Sequence, residues 1–89
     1  MAIFAIFRTS APEALGLAIA AEYPESHLHL GGGEWLVATS ATAREVSDRI
    51  GLSGGDNGAG IVVTVSGYFG RAPAEMWDWI NAKAEHPHG

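Results

Sequence analysis

Apolar residues alternate or cluster in seven stretches of the chain, and each stretch predicts one element of structure. Ala2 to Arg8 reads as a strand with Ile3, Ala5 and Phe7 on one face and Phe4 and Ile6 on the other, so that both faces are apolar. Such a strand belongs in the middle of a sheet that is covered on both sides. Ser10-Ala-Pro-Glu13 has the form of a capping box and opens a helix expected to run to about Tyr23, burying Ala11, Leu15, Ala18 and Ile19 before Pro24 ends it. His27 to Leu30 alternates as a half-buried strand, leucines inward and histidines outward. Gly31 to Gly33 then turns the chain, and Glu34 to Thr39 returns as a strand with Trp35 and Val37 on one face and Leu36 and Ala38 on the other.

The second half repeats the grammar with different punctuation. Thr42-Ala-Arg-Glu45 is another capping box, opening a helix that buries Ala43, Val46 and Ile50; Gly51 supplies its left-handed stop and Leu52 folds back on its end. Ser53 to Gly60 has no apolar period and reads as a flexible surface loop. Ile61 to Gly67 is a fourth strand, with Ile61, Val63 and Val65 inward and Val62, Thr64 and Ser66 on a more polar face. After a Gly-bracketed turn, Pro73 opens a last helix to about Ala84, whose apolar side carries Met76, Trp77 and Ile80.

The order strand, helix, strand, strand, helix, strand, helix predicts an α+β fold: a ferredoxin-like βαββαβ antiparallel sheet of order 4-1-3-2 with an extra C-terminal helix. It forms a single domain over residues 1–85, followed by a flexible tail, 86–89. In such a fold the first two helices cover one face of the sheet only. The other face, carrying Phe4 and Ile6 or their opposite-face counterparts, is left for the last helix or a second subunit, which makes Phe4, Ile6, Trp77 and Trp79 interface candidates. A twofold homodimer using both is the expected solution.

Composition strengthens that expectation. Hydrophobic residues make up 47% of the chain and charged residues only 17%, which leaves little polar material to cover a small surface. A formal net charge of −5 opposes sequence-independent binding of nucleic acid, and the basic residues are scattered. With no cysteine there are no disulfides, thiolate nucleophiles or Cys-based zinc sites. The apolar run Met1 to Phe7 stops at Arg8, too short for a signal core or a membrane span, so a soluble cytoplasmic protein with no membrane association is expected.

Candidate chemistry is sparse. The first and third strands are expected to run parallel, which gathers Arg8, Thr9, Ser10, Thr39, Ser40 and Thr42 beside two helix N-termini, where free N–H groups and the helix dipole suit a phosphate or carboxylate. The same hydroxyls serve equally as helix caps. His27 and His29, two apart on a strand, could share zinc, nickel or copper, yet no third ligand is fixed nearby and no cofactor is expected. Tyr68 and Phe69 with Arg71 could stack nucleobases, against the acidity of the chain. Trp35, Trp77 and Trp79 read as core and interface anchors. No Ser-His-Asp arrangement falls in common reach, so catalysis is not expected.

Trp35-Leu-Val37, then Thr39-Ser40, the helix start Thr42-Ala-Arg-Glu45-Val46, a Val-rich strand and a late Trp resemble the small SinR-like proteins. These are relatives of the VapD toxins and of the dimeric small subunit of the CRISPR spacer-integration complex. The resemblance covers Ile3 to Ile80 and implies a homodimer of ferredoxin-like protomers. It departs where the nuclease members carry a metal-binding aspartate at the end of the first strand, because here that neighbourhood is Phe7-Arg8-Thr9-Ser10 and a divalent cation loses its oxygen anchor. The expected role is a non-catalytic interaction or regulatory module with a protein partner. A nucleic-acid-processing relative of metal-dependent endoribonucleases and a small anion-binding sensor are the alternatives.

Overall fold

β1 (Ala2–Arg8) and β3 (Glu34–Thr39) occupy the centre of a four-stranded open sheet, which is where strands apolar on both faces have to lie. The computed structural model describes residues 2–10, 13–67 and 69–83. Its remaining elements are α1 (Ala14–Glu22), β2 (His27–His29), α2 (Ala43–Arg49), β4 (Gly60–Val65) and α3 (Ala74–Lys83). The sheet order is β2-β3-β1-β4, which read from the β4 edge is 4-1-3-2. Every neighbouring pair is antiparallel, so the described residues form an α+β fold of four strands and three helices.

That antiparallel pairing corrects one expectation. β1 and β3 are direct neighbours running in opposite senses, with Ala2 opposite Thr39 and Phe7 opposite Glu34. The end of β1 and the end of β3 therefore lie at opposite ends of the sheet. They are separated by about 20 Å, from a rise of roughly 3.4 Å per residue.

Period-two alternation divides the sheet residues between two cores. Phe4, Ile6, Trp35 and Val37 pack under α1 and α2 with Leu15, Ile19, Val46 and Ile50. On the opposite face Ile3, Leu36 and Ala38 meet Ile80 of α3, with Met76, Trp77 and Trp79 partly buried around them. Phe4 and Ile6 are thus interior residues beneath the first two helices, which removes them as interface candidates. Trp77 and Trp79 cover the second face of their own chain. Lys83 Nζ donates to the carbonyl of Glu25 at 2.9 Å, fastening the end of α3 to the turn between α1 and β2.

The two capping boxes have different fates. At α2 both reciprocal bonds form: Glu45 N–H donates to Thr42 Oγ1 at 3.1 Å and Thr42 N–H to Glu45 Oε1 at 2.8 Å. At α1 the helix begins only at Ala14, and its N-cap residue Glu13 makes no side-chain cap. Ser10 Oγ instead accepts from Ala59 N–H at 2.8 Å, while Thr9 N–H donates to the Ala59 carbonyl. A tertiary partner has outcompeted the local one. Ala11, expected on the buried stripe of α1, lies outside the described residues, as do Tyr68 and the 86–89 tail.

The glycine-rich segment after α2 is likewise pinned rather than free. Asn57 Nδ2 donates to the Ile50 carbonyl at 2.7 Å, Asn57 N–H to Gly51 O, and Gly55 N–H to Leu52 O. Gly51 takes φ +81°, the left-handed stop expected at the end of α2.

Candidate functional site

Among the described residues a cleft opens toward each end of the α1 side of the sheet. The larger, about 560 Å³, is floored by Trp35 and walled by Arg8, Glu13, His27, His29 and the turn Gly31–Gly33. Register builds it. His29 pairs with Trp35 across the β2–β3 hairpin, so their rings project from the same face and stack at 5.0 Å with 14° between planes. The Arg8 guanidinium lies 5.9 Å from the centroid of the same indole, within cation–π range. Gly16 lets α1 approach, since a Cβ there would stand 3.1 Å from Trp35 Cζ2.

His29 is exposed and His27 partly so, as their alternation with leucine suggested. They share the face of Val37 and Trp35, while Leu28 packs toward α3. Each ring is held by one nitrogen: His27 Nδ1 lies 2.6 Å from the Tyr23 carbonyl and His29 Nε2 lies 2.6 Å from the Gly32 carbonyl. A carbonyl can only accept, so these two nitrogens carry the protons and His27 Nε2 and His29 Nδ1 remain as acceptors in the neutral rings. Two ring nitrogens make half of a usual metal set. Among the described residues no group of three or more His, Cys, Asp or Glu stands where it could hold an ion.

The second cleft, about 390 Å³, lies beyond the other end of α1 and is lined by Tyr23, Ser26, Thr39, Ser40 and Arg49, with Glu22 beside Arg49. Glu22 Oε1 and Arg49 Nε are 4.0 Å apart and exposed, a contact of little energetic weight. Tyr23 is the unusual member: its ring belongs to the core and its hydroxyl is buried without a hydrogen-bond partner. Burial pushes the phenol above its ordinary value; nearby Arg49 opposes the shift, and Glu22 and Glu45 reinforce it.

The anion site expected from the sequence is therefore split. Arg8 stands at the larger cleft, and Thr9 and Ser10 are engaged with Ala59 nearby. Thr39 and Ser40 line the second cleft at the far end of the sheet, and Thr42 is committed to capping α2. Sequence reasoning missed the Trp35–His29 stack and the Tyr23–Arg49 juxtaposition. The first was within reach once the hairpin register was written out, because a three-glycine turn places His29 opposite Trp35.

The sheet surface holds a third feature. Phe7, Ile61 and Val63 are 41%, 54% and 36% exposed, and Phe7 pairs directly with Ile61 while Val63 pairs with Ala5. They lie on the α3 side, on the part of that face which the helix leaves open. No family model matches the chain, and neither a curated protein nor a solved structure matches it. Among the described residues no helix is long and apolar enough to cross a membrane.

Proposed function

We propose that the chain is one protomer of a small homodimeric interaction or regulatory module, built on a ferredoxin-like domain with an added C-terminal helix and acting without catalysis. The observation that carries this reading is the exposed strip Phe7, Ile61 and Val63 beside α3. Three large apolar side chains held adjacent by strand pairing form a patch of the kind that marks a binding surface, whereas isolated exposed apolar residues do not. The resemblance to SinR-like proteins enters only through the dimeric state it implies. Light scattering across a dilution series tests the reading: a dimer has twice the 9.3 kDa protomer mass, and a single protomer mass at every concentration would overturn it.

A second reading, a sensor for a small anion, is favoured by the larger cleft. It has the volume of ordinary ligand pockets, an aromatic floor and a guanidinium over that floor. Inorganic phosphate should then raise the melting temperature, and Arg8→Ala should abolish the rise. An equal rise in both proteins would leave only a nonspecific salt effect.

A further inference from the structure

We infer that β4 is the seam of the homodimer: two copies pair antiparallel through Gly60–Val65 about a twofold axis near Val63, joining two four-stranded sheets into one. The inference rests on the homodimer reading and names the surface that makes it. An edge strand presents a row of backbone N–H and C=O groups, and proteins that keep such an edge unpaired protect it with charge, proline, a bulge or brevity. β4 has six residues, Gly-Ile-Val-Val-Thr-Val, with no charged residue and no proline. Among the described residues, no hydrogen bond outside the ladder to β1 uses the backbone of Ile61 to Val65. As far as the described residues go, the outward groups of this strand are left for water or for another strand.

The strand also complements itself. Every residue from Ile61 to Val65 is β-branched, the type that packs best in cross-strand pairs. Pairing centred on Val63 sets Val63 against its own copy, Ile61 against the partner's Val65 and Val62 against the partner's Thr64. The twofold axis stands perpendicular to the sheet, so the strip Phe7, Ile61 and Val63 of each protomer continues across the seam on the same face.

Charge fits the same geometry. A chain with a formal charge of −5 meets its copy along an uncharged strand.

Val63→Lys tests the seam, because it sets two ammonium groups against each other on the axis while the side chain is already partly solvated in the protomer. The expected result is a shift from dimer to protomer mass with unchanged circular dichroism. Leu17→Lys, on the exposed side of α1, should leave the dimer intact. If the wild type is dimeric and folded Val63→Lys stays equally dimeric, the seam is wrong and the homodimer reading stands. If the wild type is monomeric throughout, both fall. Should Val63→Lys fail to fold, Val63→Cys decides: the chain has no other cysteine, so mild oxidation should link two protomers across the axis into a species of twice the protomer mass. A dimeric Val63→Cys protein that does not cross-link would overturn the proposal.

Discussion

The two edge strands of this sheet are built to opposite rules. β2 is three residues long, and both of its histidines are tied back to carbonyls of their own neighbourhood, Tyr23 and Gly32. The turn before it is held by Lys83 from α3. β4 is twice that length, wholly uncharged and, among the described residues, free of such back-bonding. Brevity and back-bonding leave little edge at β2 for another strand to join; β4 has neither protection. This contrast is what the proposed β4 seam rests on.

The comparison is sharpened most by placing a charge on each edge in turn. If the proposed seam holds, Val63→Lys should remove the proposed dimer, whereas His29→Lys should leave the solution mass unchanged and cost the ring stack over Trp35 and the bond to the Gly32 carbonyl. The reverse pattern by light scattering would mean that β2 carries the interface.

Next in size is Gly60→Ala at the entry to β4. A Cβ at Gly60 would lie 2.6 Å from the Phe7 carbonyl oxygen, which is backbone in the β1–β4 ladder and cannot step aside cheaply. A loss of about 1–3 kcal/mol in chemical denaturation is expected, on the scale of forced overpacking. No loss would show that the β4 edge is more pliable than its pairing implies.

At the other edge His27→Ala should cost about 1 kcal/mol, the usual net worth of one hydrogen bond, with no change of mass. The Tyr23 carbonyl keeps its bond from Ser26 N–H at 3.2 Å, so it is not orphaned. A much larger loss would make β2 depend on this single tether.

The smallest effect belongs to Tyr23 and is read against pH. Its phenol is held above the ordinary value of 10.0, chiefly by burial and against the pull of Arg49. The unfolded chain therefore loses this proton first as pH rises. The stabilisation is complete below pH 10 and is lost as pH climbs from there through the folded value. Wild-type melting temperature should fall faster above pH 10 than that of Tyr23→Phe, which also discards an unsatisfied hydroxyl and should be no less stable at neutral pH. Parallel alkaline curves would sink the assignment.

Much of this fold was legible because burial writes itself onto period-two patterns. The two-sided apolar character of Ile3 to Phe7 and of Trp35 to Ala38 identified the central strands, and the capping box Thr42–Glu45 located α2. What was lost depended on partners distant in sequence. Ser10 looked like a cap but is taken by Ala59, and the Ser53–Gly60 segment looked free but is moored by Asn57. The candidate site suffered most, since its assembly rested on strand sense. Reading β1 and β3 as parallel put Arg8 beside Thr39, Ser40 and Thr42, whereas antiparallel pairing sets them at opposite ends. Arg8 survives as a site residue with a different neighbour, Trp35.

The central place of β1 also bears on how the protein is made. Of the four strands β1 is synthesised first, yet Ile3 finds its partner Ala38 only after β3 has been synthesised and its partner Val65 only after β4. At roughly 5–20 residues per second, the first strand waits on the order of 3–12 s for its second edge partner. During that interval the nascent chain is most prone to aggregate and most suited to a chaperone. Slowing translation between Ala38 and Val65 should lower the soluble yield more than slowing it after Val65.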